Sequence, residues 1–272
     1  MTICISIKVP DGLVLAADSM TSYTVLNPAT QGWDVVQSYS YANKLIQFGS
    51  ASIGMLAWGV GSLQRRSIQN LVEEFVPQHF ASDKQSTVAA TASALAGFMQ
   101  VAYEQEYPDP QKRPGLGFLV GGYDQSSPFA QQWGFEFPVT PKAQEILPSV
   151  ANKPVFGVQW FGMTDALSRL IHGFDFRLIQ ALKDKGFDPA KVDDFFSGQN
   201  LWALKIPYEM IFDGMPLQDA IDYAAYLVHV VKGRFRFVVG PKVCGGPVDI
   251  AVVAPGRFDW IRRKTLSHEG DI

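Results

Sequence analysis

Apolar residues open the chain in short, punctuated runs. Residues 3–9 and 13–17 flank Pro10-Asp11-Gly12 and predict a hairpin, and 45–48 and 53–58 predict two more strands. Between these pairs, residues 19–43 are polar and aromatic, with Tyr23, Trp33, Tyr39 and Tyr41. That stretch reads as a long excursion or an extra hairpin. Helical periodicity then takes over. Leu63, Ile68, Leu71, Val72 and Phe75 form one series, and Val88, Ala92, Leu95, Met99 and Ala102 recur at steps of three and four in the next. The tract PDPQKRPGLG breaks the pattern, and strands are expected at 118–123, 131–137 and 155–161. A second helical pair follows. Leu167, Ile171, Phe174, Leu178 and Leu182 mark its first member. Leu217, Ile221, Ala224, Val228 and Val231 mark its last, with Pro216 suited to a first helical turn. Residues 187–214 read as irregular or partly helical, and strands return at 235–239, 250–253 and 258–261.

Alternating βαβ units would argue for a parallel sheet, whereas blocks of strands and blocks of helices argue for antiparallel sheets covered by helical layers. The pattern therefore predicts an α+β fold, a four-layer α-β-β-α sandwich of two mostly antiparallel sheets with a helix pair on each outer face. No repeat or low-complexity tract marks a boundary, so 1–272 reads as a single domain. A globule of that size buries roughly 75% of its unfolded surface and needs no metal or disulfide to hold its core.

Composition narrows the function more than the fold. The 23 Lys and Arg against 26 Asp and Glu give a net charge of −3, and no basic cluster exceeds Arg262, Arg263 and Lys264. Nucleic acid is thus not an expected partner. Cys4 and Cys244 are too few for a zinc framework and form no CxxC pair, so a reducing, cytoplasmic setting is expected, with no metal and no cofactor. Lys8 and Asp11 interrupt what would have to be the apolar part of an export signal. The uncharged run at 85–103 is rich in Ala, Ser, Thr and Gln, which suits a helix between protein layers better than one in lipid.

The common catalytic signatures are absent: no GxSxG, no HExxH, no Walker loop and no paired histidines. Gly59-Val60-Gly61 lacks the third glycine of a dinucleotide fingerprint, Gln64 standing there. His79, His172, His229 and His268 are scattered and read as structural or solvated. What remains is the N-terminus. With Met1 removed, Thr2 carries a hydroxyl nucleophile and a free α-amine on one residue, and the amine, with an ordinary pKa of about 7.7 to 8.0, can take the hydroxyl proton. A neighbouring ammonium lowers that pKa by like-charge repulsion. Asp18 closes the opening hairpin and Lys44 begins the next core strand, so a carboxylate-held lysine is available.

These residues carry a family resemblance. The run TICISIKVPDGLVLAADS, followed by KLIQF, IGMLAWG, LVGGYD and GGPVDIAVV, resembles the β-type subunits of the proteasome and their bacterial relatives among the N-terminal-nucleophile hydrolases, in order over most of the chain. The resemblance implies Thr2 as nucleophile, Asp18 and Lys44 as its acidic and basic partners, and Gly59 as the oxyanion-hole amide. It implies Thr21 and Ala57 at the border of the specificity pocket. It also implies a threonine peptidase without cofactor, assembled as a homo-oligomeric ring and acting on peptide or protein; charge and composition, as above, predict neither a nucleic-acid nor a membrane partner. Taken singly, Thr2 is a strand-starting residue, Asp18 a hairpin turn residue, Lys44 a surface lysine and Gly59 a helix-entry turn. Their order carries the resemblance.

The chain departs from the family at two places. Trp160-Phe161-Gly162 puts an aromatic where catalytic members carry a serine, and Pro241-Lys242-Val243-Cys244-Gly245-Gly246 lacks the aspartate and serine before the paired glycines. Cys244 is a partial substitute for that serine, and Thr164 or Asp165 are further candidates for the missing network. Two alternatives to peptidase activity stay open: a non-catalytic ring or scaffold subunit, and a non-peptide amidase on the same fold.

Overall fold

The computed structural model describes residues 2–27, 33–49, 51–80, 87–125, 127–151 and 153–266. Strand β1 (Ile3–Val9) turns at Pro10-Asp11 into β2 (Gly12–Asp18), with Val9 opposite Gly12 and Cys4 opposite Ala17. Within the 19–43 stretch, β3 (Thr21–Leu26) pairs antiparallel with β4 (Trp33–Tyr39), and the Ser22 and Ser38 hydroxyls share a 2.9 Å hydrogen bond across the pair. β5 (Leu45–Gln47) and β6 (Ile53–Gly59) follow as expected. Leu63 lies in a two-residue pairing of β7 (Ser62–Leu63) with β8 (Arg66–Ser67) and not in the first helix. That helix, α1 (Ile68–His79), starts where Ser67 Oγ accepts the Asn70 amide at 3.2 Å; α2 (Val88–Glu106) starts where Thr87 Oγ1 accepts that of Ala90 at 3.1 Å.

Next come β9 (Leu116–Gly122), β10 (Gln131–Phe137), β11 (Thr140–Glu145) and β12 (Gly157–Gly162). The single helix expected across 167–182 is two, α3 (Asp165–Ile171) and α4 (Arg177–Asp184), because Gly173 takes φ +80° between them. Residues 187–214 are partly helical, with α5 (Pro189–Phe195) and α6 (Gly198–Ala203). The strand expected at 235–239 is absent: α7 (Leu217–Phe237) runs through most of it. β13 (Val248–Ala254) and β14 (Arg257–Arg262) finish the described chain.

All ladder pairings in the two large sheets are antiparallel, in the orders β12-β1-β2-β13-β14 and β11-β10-β9-β6-β5. Cys4, Leu13, Leu15 and Ala17 on one sheet pack against Leu45, Leu56, Trp58 and Leu119 on the other. Alternation turns Ile3, Ile5 and Ile7 to the opposite face, where α7 lies over β1, β2 and β13. Met55, Phe118 and Val120 point away from the sheet interface, into a core with Leu71 and Phe75 of α1 and Leu95 and Met99 of α2. Coverage on both faces explains why β1 and β2 are buried throughout. Fully burying each such aliphatic side chain stabilises by about 1.5–3 kcal/mol.

The chain divides into two compact units, residues 1–162 with 212–272, and residues 163–211. The second holds α3 to α6. Its buried positions include Leu167, Ile171, Val192 and Leu201, with Phe174 and Phe196 rings 4.8 Å apart and Asp175 ion-paired to Arg169 and Arg177. No helix among the described residues is long and apolar enough to cross a membrane.

Candidate active site

β2 ends on Asp18 at the same end of the first sheet at which β1 begins, because the tight turn fixes the hairpin register. Asp18 is 1% exposed, and its carboxylate collects four donors. Oδ1 accepts Lys44 Nζ at 2.7 Å and the Ile3 amide at 3.1 Å. Oδ2 accepts the Gly245 amide at 2.9 Å and the Met20 amide at 3.2 Å. Lys44 arrives from the start of β5 and is 7% exposed, so the ion pair is buried. Because Lys44 and the Ile3 amide meet at one oxygen, the ammonium is held one residue from Thr2. Thr2 itself is 3% exposed.

Two glycines complete this end of the sandwich. Gly59 ends β6 with φ +93°, and a Cβ there would sit 2.1 Å from the Gly115 carbonyl oxygen. The Ala57 amide donates to Lys44 O on the β5 side, and the Val60 amide donates to Gly115 O on the β9 side. By strand alternation the Gly59 N–H points to the same side as that of Ala57, beyond the residue where β5 begins. Gly162 ends β12 with φ +87°, and its missing Cβ would sit 2.1 Å from Thr2 O. The close approach of β12 to Thr2 therefore requires glycine.

The structure brings Asp18 and Lys44 into contact beside Thr2, and directs the Gly59 amide past the head of Lys44's strand. Thr21 begins β3, with its hydroxyl beside Gly61, where a Cβ would lie 3.1 Å from Oγ1. Ala57 is 6% exposed and packs in the core with Ile46 and Met55. Met1, whose removal the chemistry requires, and His268 lie outside the described residues. Among the other histidines, His79 stacks on Phe75, His172 packs against Phe176 and His229 bonds Ala225 O.

Phe161 stacks on Trp58 with ring centroids 4.3 Å apart, and the Trp58 indole donates to Glu136 at 3.3 Å. An apolar contact thus stands where the resemblance would place a hydroxyl. Cys244 is fully buried near Asp18; burial first, then the Asp18 charge, pushes its thiol well above its ordinary range. Cys4 is pushed up likewise by burial and donates to Ala57 O at 3.4 Å, so neither thiol is set up as a nucleophile. Thr164 and Asp165 belong to the second unit, where the Thr164 carbonyl accepts the Ser168 amide and Asp165 pairs with Arg177 at 3.5 Å. The sequence reading missed the Ile3 and Gly245 amides and Gly162. Only the glycines carry any sequence signal, and it is the weak one of a turn after a strand.

A cleft of about 340 Å³ opens along β5, with Asn43, Leu45, Gln47, Gln69, Glu73 and Arg263 among its lining residues; Thr2, Asp18, Lys44 and Gly59 do not line it. Among the described residues, no three His, Cys, Asp or Glu side chains group to hold a metal ion. Comparison with protein-family models and with curated proteins finds no match to this chain.

Proposed function

We propose that this chain is an N-terminal threonine hydrolase of the proteasome β type, with the corresponding N-terminal-nucleophile fold, and that it cleaves peptide amide bonds once Met1 has been removed. The observation that carries the reading is the sharing of Asp18 Oδ1 by Lys44 Nζ and the Ile3 amide, which anchors a buried ammonium against the first residues of the mature chain. While Met1 is attached, the Thr2 nitrogen is an amide and has no proton affinity to offer. After its release, repulsion from the Lys44 ammonium favours the neutral amine. A drop of about one pKa unit raises the neutral fraction at pH 7 from about a tenth to about a half.

In this mechanism the amine takes the Thr2 hydroxyl proton as Oγ bonds to the substrate carbonyl carbon, and the oxyanion forms against the Gly59 N–H. Such a donor is worth about 2.7–4 kcal/mol of barrier. The tetrahedral intermediate expels the substrate amine, which leaves with the proton held by the Thr2 amine, and an ester to Thr2 remains. Water, deprotonated by the same amine, then hydrolyses the ester and returns the proton to Oγ. Thr21 and Ala57 border the substrate's side-chain pocket, and the active form is a homo-oligomeric ring.

The test combines mass spectrometry of the N-terminus with hydrolysis of fluorogenic peptides. A mature chain beginning at Thr2 is expected, labelled on Thr2 by a threonine-directed covalent inhibitor. Thr2→Ala should lower hydrolysis at least a thousandfold; unaltered activity in that variant would end the proposal. The Phe161–Trp58 stack favours a second reading, a ring subunit without catalysis. Retained Met1 and no inhibitor adduct would select it.

A further inference from the structure

We infer that Lys232 of α7 is a positioning residue for the Asp18–Lys44 pair, clamping the loop whose amide holds Asp18; what the pair is for rests on the hydrolase reading above. The four donors on Asp18 are not equally constrained. Ile3 is fixed by its pairing with Gly162 of β12, Met20 is two residues along the chain and Lys44 immediately precedes β5. The Gly245 amide comes from the connection between α7 and β13, which has no strand or helix of its own to place it.

Three further contacts fix the Gly245–Gly246 end of that connection. The Ser19 amide donates to Gly245 O at 3.0 Å. Gly246, at φ +72°, passes so close to Ser40 that a Cβ would meet its carbonyl oxygen at 2.3 Å. Lys232 reaches across from α7 and donates its ammonium to Gly246 O at 2.6 Å. The last is charge-assisted and half-buried, the strong class of hydrogen bond. It acts on the residue next to the one that bonds Asp18. The segment Pro241-Lys242-Val243-Cys244 lacks the aspartate and serine that the resembled family carries before the paired glycines, so those two side chains do not brace this loop from within. Lys232 braces it from the helix.

The charged and titratable groups around Lys232 are Cys244, Asp18, Lys242 and Arg262, and those around the Thr2 end are Asp18, Lys44, Cys4 and Cys244. Without the clamp the loop lifts, Cys244 loses its cover, and Asp18 loses one of its two Oδ2 donors. Lys44 follows the carboxylate, so its repulsion of the Thr2 amine weakens.

The experiment compares Lys232→Met and Lys232→Arg in the full-length, N-terminally processed protein, after thermal melts establish that each is folded. Lys232→Gln replaces the Met variant if that one does not fold. N-ethylmaleimide labelling, located by peptide mass spectrometry, should reach Cys244 at least tenfold faster in Lys232→Met than in wild type, with Cys4 unchanged and Lys232→Arg close to wild type. Thr2-dependent peptide hydrolysis should lose at least tenfold in kcat with KM within twofold, and its acid limb should move to higher pH as the amine becomes more basic. Unchanged Cys244 labelling overturns the clamp, and faster labelling with unchanged kcat and pH profile overturns its positioning role. If Thr2→Ala keeps full activity, it is the hydrolase reading that fails. The positioning role then falls with it, while Cys244 labelling still decides whether Lys232 holds the loop.

Discussion

Asp18 is the residue on which the site turns, and its partners are unequal. Asp18→Asn replaces one accepting oxygen with an amide group facing backbone donors, and it leaves the Lys44 ammonium buried without its counter-charge. Breaking a buried pair from one side costs about 3–5 kcal/mol. Lys44→Met leaves Asp18 with its three amide donors and should cost less. Urea unfolding is expected to rank wild type above Lys44→Met above Asp18→Asn, with Thr2-dependent hydrolysis lost in both variants; the reverse ranking of the two would mean that the amides do not support the carboxylate. Lys8 poses the opposite case. It faces the space between the sheets, as Cys4 and Ser6 do, and is 3% exposed; burial lowers its pKa, partly opposed by Glu145. Below the ordinary lysine value of 10.5 the unfolded chain holds this proton more firmly than the native one, so stability falls as pH drops through the native pKa. Lys8→Met should therefore melt higher than wild type at pH 7, and the gap should narrow towards pH 10. A gap that widens instead would show that Lys8 gains from its charge. Both residues stand in plain view in the sequence, but only Asp18 and Lys44 were legible as a pair. The partners that finish the site are backbone amides, and the Gly245 contact spans 227 positions without any periodic signal.

At the level of elements, the site exists because strand ends coincide. β1 starts, and β2 and β12 stop, beside Thr2, and β6 and β12 both stop on glycines with positive φ. Gly162→Ala tests this arrangement. The left-handed backbone alone costs an alanine about 1–2 kcal/mol, and the new methyl would have to displace the Thr2 carbonyl. Hydrolysis should fall more than tenfold in protein that remains folded at 25 °C, whereas stability loss without activity loss would separate β12 from the site. The elements that escaped the sequence are those whose local signal is weak or double. Thr140–Glu145 is mostly polar and only partly buried, so β11 carries no apolar alternation; Lys142 and Glu145 suit it to a sheet edge. Residues 235–239 alternate little and are too short for period to decide between helix and strand. The helix prevails there as a continuation of α7, with Arg234 over Phe235 at 4.7 Å and Arg236 over Phe237 at 5.3 Å. By contrast the opening hairpin, the β6 strand and α2 were legible because turn chemistry, period and burial agree.

For the whole molecule, the division of the chain into two units was invisible to composition, because the boundary is not a linker: the chain leaves the first unit after β12 and re-enters it before α7. The units differ in what holds them together. The first has buried layers between its sheets, between one sheet and α1 and α2, and between the other sheet and α7. The second relies on short helices, few fully buried side chains and exposed ion pairs such as Arg169–Asp175, whose net worth is at most about 1 kcal/mol each. Local opening free energy follows buried apolar contact and shielded backbone. Hydrogen exchange at pH 7 should therefore divide the peptides sharply. Amides of β1, β2, β9 and β13 should exchange last, near the global unfolding limit, and those of residues 163–211 should exchange at least a hundredfold sooner. Because α3 to α6 are short, each opening exposes a whole helix, so their amides should exchange in groups and not residue by residue. Equal protection in the two units would show that the second is stabilised by something beyond its own contacts, and adding a subdenaturing concentration of urea would identify it: a unit that opens alone accelerates before β1 does, whereas one that opens only with the global transition keeps pace with it.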